Sequence, residues 1–121
     1  MSEQAAIEAV IQTYFDCMFE SSSKKAKAAF HPGARIVGYL GEKLEDMSVD
    51  DFAAFVASQQ PSPKDKGEEA RLEIVSIDIA GQVAVAQVRD DYLGHTFLDL
   101  LSLLKIDGEW RIQNKLFHVE A

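Results

Sequence analysis

The sequence is poor in cysteine and histidine, and each shortage excludes a class of site. The single cysteine, Cys17, excludes an internal disulfide and a metal site built from several thiolates. Cys17 follows Tyr14 by about one helical turn, so we interpret it as an inert packed side chain. The histidines His31, His95 and His118 lack the paired spacing that marks a metal site. No phosphate loop, nucleophile elbow or dinucleotide fingerprint is present either, so we expect no metal and no other cofactor.

Basic residues are also scarce, with 12 Lys and Arg against 20 Asp and Glu and a net charge of -8. Such a chain repels phosphate backbones and anionic lipid, so we expect neither a nucleic-acid nor a membrane partner. No apolar run reaches the roughly 18 residues that a membrane-spanning helix needs. The first residues, Met1 to Gln4, lack the basic start of a signal peptide. These features lead us to expect a cytoplasmic protein.

The most informative stretch is a predicted central hairpin near the end of the chain. Two β-patterned runs, Thr96–Ile106 and Trp110–His118, are joined by Asp107, Gly108 and Glu109. An Asp-Gly pair between such runs is a strong hairpin signal, because the turn requires positive φ. Both faces of the first run are largely apolar. We therefore expect helices on one face of the sheet and a second subunit on the other.

Helical periodicity predicts three helices in the first half of the chain. They cover Ser2 to about Phe19, Lys24–Phe30, and a third helix that begins at a cap around Ser48 and ends near Ala57. Pro32, within the segment His31 to Gly33, should end the second helix.

The remaining chain is predicted to be strand and turn. The strands are Ala34–Leu40, Leu44–Met47, Glu69–Ile79, Gln82–Tyr92 and the two arms of the hairpin, with a surface loop at Pro61–Gly67. Long strands linked by short turns indicate an antiparallel sheet that curls around whatever packs on its concave face. We predict a single α+β domain, residues 1–121, with a cone-like fold in which three N-terminal helices pack on a strongly curved antiparallel sheet.

This order of elements resembles a known superfamily. Together with Ala29–Ala34, which leads into the first strand, and Leu101–Ile112 near the end, it is similar to nuclear transport factor 2-like proteins. Within them it looks closest to the small bacterial proteins grouped as SnoaL-like or "putative lumazine-binding". The resemblance implies a cone with an interior pocket. It does not select a function, because the superfamily contains isomerases, dehydratases, epoxide hydrolases, cyclases and non-enzymatic binders.

Ketosteroid isomerase is the relative whose mechanism is best understood, with an aspartate base and an oxyanion hole of tyrosine and aspartate. The resemblance places Tyr14 at the tyrosine, Gly38 at the base and Ser102 at the oxyanion aspartate. Gly38 cannot abstract a proton, so we do not expect steroid isomerisation by that mechanism. The aspartate, arginine and aspartate arrangement of limonene epoxide hydrolases is not evident either.

Several polar side chains are predicted to face the interior. The resemblance places Asp90 and Tyr92 on the concave face of their strand, with Ser102 on the concave face of the next. In the last strand, Asn114 and His118 share the more apolar face and should also point inward.

From these residues we assign the catalytic roles: Asp90 or His118 as the proton-transfer group and Tyr14 as the hydrogen-bond donor. Simpler interpretations stay open. Asp90 could be a strand-end residue paired with water or Arg89, His118 a surface residue, and Tyr14 a core aromatic.

Apolar side chains predicted to form the cavity wall are Met18, Phe30, Phe52 and Phe55, and core packing alone would also explain them. The first functional hypothesis is a pocket protein for a small hydrophobic or aromatic molecule, either a binder or a cofactor-independent isomerase, cyclase or dehydratase.

The alternative is a non-enzymatic dimeric interaction module. This hypothesis rests on a set of apolar residues that we assign to the outer face of the sheet, where exposure would be unfavourable. The set predicts a homodimer and consists of Phe97, Leu101, Leu103, Phe117 and Val119.

Overall fold

A computed structural model describes residues 2–120, which form three helices and six strands. The helices are α1 (Glu3–Phe19), α2 (Ser23–Ala29) and α3 (Val49–Ser58). The strands are β1 (Phe30–Leu40), β2 (Lys43–Ser48), β3 (Leu72–Ala80), β4 (Val83–Tyr92), β5 (His95–Ile106) and β6 (Glu109–Val119). Met1 and Ala121, the ends of the predicted domain, lie outside the described residues.

The six strands form one sheet in the order β2-β1-β6-β5-β4-β3. The predicted α+β cone is confirmed, with three helices on an open sheet. The sheet is mixed rather than antiparallel, because β1 and β6 pair in parallel. These two strands are distant in the chain and share no hairpin, so no local turn signal reports their relative direction.

Polar side chains fix the helix starts. Ser2 and Ser48 accept backbone N–H groups at the beginnings of α1 and α3. Glu3 also accepts hydrogen bonds from Lys105 Nζ at 2.9 Å and Trp110 Nε1 at 2.8 Å. These bonds fasten the N-terminus of α1 to the β5–β6 hairpin and so set how α1 crosses the sheet.

The second helix ends before His31 to Gly33 as expected, but the predicted start of the first strand at Ala34 is wrong, because His31 to Gly33 already belong to β1. Helix α2 ends at Ala29, and Phe30 already pairs with Ile112 of β6. Phe30 is fully buried, so its packing favours the strand. The pairing is irregular between Phe30 and Arg35, and this irregularity accommodates the proline.

The β5–β6 hairpin is confirmed as a two-residue turn. Asp107 has φ 51° and Gly108 has φ 81°, the pattern of a type I′ turn, which glycine adopts at little cost. Ile106 pairs directly with Glu109. The loop at 61–67 is less exposed than expected, since Ser62 is buried and the Lys64 N–H donates to the Phe19 carbonyl at 2.9 Å.

The sheet has an inner face covered by the helices and an outer face that is uncovered. The predicted outward set is wrong: Leu101, Leu103 and Phe117 are buried on the inner face. No helix among residues 2–120 combines the length and the apolar character needed to cross a membrane.

The error in β6 has a specific cause, a β-bulge at Gln113. Ser102 pairs with Asn114, whereas Leu103 pairs with Ile112, which leaves Gln113 as an extra residue. One extra residue reverses which side chains point inward along the rest of the strand. Before the bulge Trp110 and Ile112 face the helices, and after it Lys115 and Phe117 do.

Candidate functional site

A cavity of about 470 Å³ lies between the helices and the inner face of the sheet. Predicted residues Met18, Phe52 and Phe55 form part of its wall, and Asp90 and Tyr92 also line it. Residues not predicted for it include Phe97, Lys115 and Phe117. The lining is mostly apolar, as in pockets for small organic molecules.

Phe30, predicted as wall, lies behind that wall in the core. Its ring makes edge-to-face contacts with Tyr14 at 5.8 Å and Phe52 at 5.7 Å between ring centroids. These contacts hold the two rings that flank the site, so Phe30 supports the cavity without facing it.

Two buried carboxylic acids, Asp90 on β4 and Asp99 on β5, form what we call the acid pair. Asp90 pairs with Phe97, and Val88 pairs with Asp99, so the two carboxyls occupy diagonal positions on the inner face. Asp90 is 1% exposed and Asp99 is 0% exposed. Within residues 2–120, neither oxygen of Asp90 has a hydrogen-bond partner, and Asp99 Oδ1 has none either.

Tyr14 completes this cluster. Its hydroxyl donates to Asp99 Oδ2 at 2.6 Å, and its side chain is fully buried. Burial, followed by the negative charges of Asp90 and Asp99, holds the pKa of Tyr14 well above its usual value. The phenol therefore remains a donor. The structure commits it to Asp99 rather than to the cavity.

The environment of the acid pair favours a protonated Asp90. Burial, and then the charge of Asp99, raises the pKa of Asp90 to about 9, and the charge of Lys115 partly opposes this shift. Two carboxylates this close in an apolar interior cannot readily both be ionised. Near neutral pH Asp90 is therefore protonated, while its neighbour Asp99 accepts the hydrogen bond from Tyr14.

Lys115 supplies the balancing positive charge. It is only 6% exposed, and its Nζ lies 4.7 Å from the ring centroid of Tyr14, 5.0 Å from Phe52 and 5.7 Å from Phe117. We call these three rings the aromatic cage. Cation–π attraction stabilises an ammonium in such surroundings. Asp90 and Lys115 thus line the apolar cavity, and Asp99 lies buried on the strand between theirs.

Gly38 lies at the position that the resemblance assigns to the base of ketosteroid isomerase, and its surroundings leave no room for a side chain. It is buried on β1 and pairs with Phe117 of β6. A Cβ at this position would come within 2.6 Å of the Phe117 ring and would also meet the Phe117 carbonyl oxygen. The aromatic side chain thus lies over the glycine.

Three predicted site residues are not in the cavity. Ser102, Asn114 and His118 lie on the outer face of the sheet, and the prediction that they point inward is wrong. The bulge at Gln113 accounts for Asn114 and His118. Ser102 was placed inward by the resemblance, and because both faces of β5 are apolar, hydrophobicity could not correct that placement.

Asp99 and Lys115 were not predicted for the site. The face of Asp99 was ambiguous because β5 is apolar on both sides, and the bulge at Gln113 reversed the face of Lys115. One signal could nevertheless have identified Asp99. A two-residue hairpin turn fixes the register, so Leu103 must pair with Ile112 and share its face. Asp99 lies on that face by simple alternation. For Lys115 the sequence offers no comparable signal, because a bulge has to be located first.

Tyr92 lines the cavity, whereas Cys17 is buried in the core. Burial raises the pKa of Cys17 to about 12, in keeping with the inert thiol expected from its position. The Tyr92 hydroxyl is buried and has no hydrogen-bond partner in the described part of the chain. Burial likewise raises the pKa of Tyr92, so it stays a neutral donor beside the cavity. No group of three or more acidic, histidine or cysteine side chains within residues 2–120 is arranged to hold a metal ion.

A family model described as "putative lumazine-binding" matches residues 2–118. The aldolase FrzH of Cladobotryum sp. is 30% identical over 117 residues, which cover 97% of this chain and 91% of that protein.

Solved structures also match over almost the whole chain. A nuclear transport factor 2-like protein of unknown function from Methylobacillus flagellatus is 34% identical with a TM-score of 0.85, covering 100% of this chain and 96% of that chain. Another, from Silicibacter pomeroyi, is 26% identical with a TM-score of 0.88, covering 99% of this chain and 100% of that chain.

Proposed function

This chain belongs to the "putative lumazine-binding" family of nuclear transport factor 2-like proteins, and on that premise we propose that it is an enzyme acting on a small carbonyl compound. In the proposed reaction, Asp90 transfers a proton to or from the carbon atom next to the carbonyl group. The resulting enolate is then the intermediate of an aldol-type or isomerisation reaction.

The observation that carries this proposal is the acid pair at the inner end of an apolar cavity. A carboxyl group whose pKa lies near the working pH is an effective proton-transfer group, and the raised pKa of Asp90 brings it toward that range. Buried carboxyls with unsatisfied oxygens are costly to stability, so their presence favours a functional role. Ordinary core packing offers no reason for two of them.

The charges around the acid pair suit an enolate intermediate. When a base removes a proton next to a carbonyl, negative charge develops on the carbonyl oxygen. Lys115 is a cation that lines the same cavity, and its N–H groups are free to approach that oxygen. Asp99, which accepts the hydrogen bond from Tyr14, neighbours Asp90 and raises its pKa, so it favours proton uptake by Asp90.

The relative named as an aldolase supports this reaction class, because aldol chemistry begins with enolate or enamine formation. The name describes that protein. It becomes an argument for this chain only together with the acid pair and Lys115, which supply a proton-transfer group and a cation in one cavity.

The test is exchange of α-hydrogens for deuterium, because exchange reports enolisation before the natural substrate is known. Cyclohexanone and acetophenone in deuterated buffer are followed by proton NMR with wild-type protein, Asp90→Asn and Asp91→Asn. We expect wild-type protein to accelerate exchange and Asp90→Asn to lose about 100-fold or more of that acceleration.

Asp91→Asn is the matched control, since the same substitution is made one residue away. Asp91 is exposed and pairs with Arg71 outside the cavity, so exchange should persist at the wild-type rate. Equal exchange rates in wild-type protein and Asp90→Asn would contradict the assignment of Asp90.

A second candidate function is ligand binding without catalysis, and the family description favours it. The aromatic cavity wall suits a planar ring system such as lumazine. Lumazine titrated into the protein should then raise its melting temperature. Binding of lumazine, combined with no α-hydrogen exchange for either ketone, would favour the binder over the enzyme.

A further inference from the structure

We propose that Lys115 forms an imine with the carbonyl carbon of a bound aldehyde or ketone, so that the lysine acts as a covalent catalyst. This inference rests on the proposed function, because it specifies how the carbonyl compound is activated. It assigns to Lys115 a nucleophilic role in addition to its charge.

The first support is that the Lys115 amine is unengaged. Its Nζ makes no hydrogen bond or ion pair with any residue in 2–120, although the side chain is almost fully buried. Other lysines differ: Lys105 is tied to Glu3 at 2.9 Å and Lys25 to Glu20 at 2.8 Å. A lysine nitrogen that must first break such bonds is a poor nucleophile, whereas the Lys115 nitrogen lies over ring faces and beside the cavity that Asp90 also lines.

The second support is the conservation of charge in the reaction. A ketone and an ammonium give an iminium and one water, so the total charge of +1 at the nitrogen is unchanged. The aromatic cage that surrounds the ammonium of Lys115 therefore also suits the iminium. The cage does not oppose the covalent intermediate, because a positive charge lies among the three rings before and after the reaction.

The third support is the acid pair, which can move the protons that imine formation requires. The ammonium gives one proton to the ionised carboxylate of the pair, and the neutral amine attacks the carbonyl carbon to form the C–N bond. After the attack the nitrogen gives a second proton to the pair. The carbonyl oxygen takes two protons from the pair in turn, the second as the C–O bond breaks, and it leaves as water. The nitrogen retains one hydrogen, and the pair ends with as many protons as it began with.

The iminium then serves the proposed reaction. It withdraws electrons from the adjacent carbon more strongly than the neutral carbonyl does, so that carbon loses a proton more readily. Asp90 accepts the proton when ionised and returns it when protonated, which makes Lys115 the electron sink and Asp90 the proton-transfer group. The cavity of about 470 Å³ accommodates a small ketone beside both groups.

The experiment uses 2,4-pentanedione, a diketone that traps reactive lysines as a stable enaminone with loss of water. The full-length wild-type protein, Lys115→Arg and Lys64→Arg are incubated with the diketone, digested and mapped by mass spectrometry. We expect wild-type protein and Lys64→Arg to carry one diketone less one water on Lys115 well before any exposed lysine reacts. Lys64 is exposed and provides the control for substitution alone.

Lys115→Arg separates covalent from electrostatic action, because arginine keeps the positive charge but forms no imine under these conditions. If Lys115 acts covalently, the variant should lose about 100-fold or more of the α-hydrogen exchange while its circular dichroism spectrum is unchanged. The wild-type labelling experiment needs no variant, so a folding defect in Lys115→Arg leaves the imine testable.

The outcomes also distinguish this proposal from the proposed function. If wild-type protein catalyses exchange, Lys115 is not labelled ahead of surface lysines and Lys115→Arg keeps its exchange rate, the imine is overturned and the enzyme stands. If Lys115 is labelled selectively but no ketone undergoes exchange, the proposed function is overturned and the reactive amine is retained. Selective labelling with exchange that is lost in Lys115→Arg supports both.

Discussion

The two faces of the sheet depart in opposite ways from the usual burial of apolar side chains and exposure of charged ones. On the inner face, under the helices, Asp90, Asp99 and Lys115 are charged or titratable side chains removed from water. On the outer face, in contact with solvent, Val85 and Leu116 are apolar side chains that are 54% and 46% exposed. Burial of ionisable groups and exposure of contiguous apolar surface both cost free energy, so each indicates a purpose other than stability.

We infer from this difference that each face suits a different kind of partner. Buried ionisable groups can exchange protons with a ligand that displaces water from the cavity, so the inner face is suited to a small molecule. Exposed apolar side chains contribute favourable free energy only when another surface covers them, so the outer face is suited to a macromolecule. Experiments that change one face and leave the other intact can test this division.

The largest expected effect concerns the inner face and pH. Asp90 is protonated when folded up to a pKa of about 9, whereas in the unfolded chain it ionises near its ordinary value. The folded state thus binds one more proton between these limits, and raising the pH favours unfolding. From about pH 5 to about pH 8 stability should fall by up to about 1.4 kcal/mol per pH unit.

Asp90→Asn tests this pH dependence, because an amide keeps the shape of the protonated acid but does not titrate. Urea unfolding across the same pH range should show a clearly flatter profile for Asp90→Asn than for wild-type protein. Asp91→Asn should keep the wild-type slope, since Asp91 is an exposed residue paired with Arg71. Parallel profiles for wild-type protein and Asp90→Asn would mean that Asp90 is ionised in the folded state.

A somewhat smaller effect is expected from filling the gap between β1 and β6. Gly38→Ala places a methyl group within 2.6 Å of the Phe117 ring and also against a backbone carbonyl that cannot rotate away. We expect a loss of about 3 kcal/mol of unfolding free energy, at the upper end for overpacking.

Gly33→Ala is the matched control, because a Cβ at Gly33 has its nearest neighbour at 3.7 Å. It should change the unfolding free energy by less than about 0.5 kcal/mol. Chemical denaturation of both variants checks this. Similar stabilities for the two alanine variants would show that the sheet adjusts at Gly38.

The fold could be predicted from sequence because its signals are local. The Asp107-Gly108 turn, the Ser48 cap and the apolar periodicity of α1 each depend on a few neighbouring residues. The parallel β1–β6 pairing depends on residues far apart in the chain, and local patterns carry no information about it.

The site could be predicted only in part, because a site depends on which face each side chain occupies. The resemblance placed Asp90 on the concave face of its strand, and the structure has it buried there. The alternation of β4 agrees, since its other inward residues are small or apolar and its outward ones include Gln87 and Arg89. In β5 both faces are apolar, so the pattern was ambiguous. In β6 one inserted residue, Gln113, reversed the pattern halfway along the strand. A predicted face is therefore most reliable where the opposite face is polar.

The smallest effect on folding is expected on the outer face, where we propose that a second copy of the chain covers the apolar surface. Its exposed apolar residues lie side by side, since Leu100 pairs with Leu116 and Val85 lies on the neighbouring strand. A two-fold contact would bury the same residues on both subunits. Leu100→Glu should change the unfolding free energy by less than about 0.5 kcal/mol, because Leu100 is 44% exposed in one subunit.

The same substitution should nevertheless change the mass of the particle in solution. Light scattering at micromolar concentration should give a dimer for wild-type protein and a monomer for Leu100→Glu, because the charge would be buried without a partner in the contact. Glu109→Gln, at the exposed turn end of β6, should remain dimeric. A monomeric wild-type protein would leave the outer face without the proposed partner, whereas α-hydrogen exchange that persists in monomeric Leu100→Glu would show that the inner face functions independently of it.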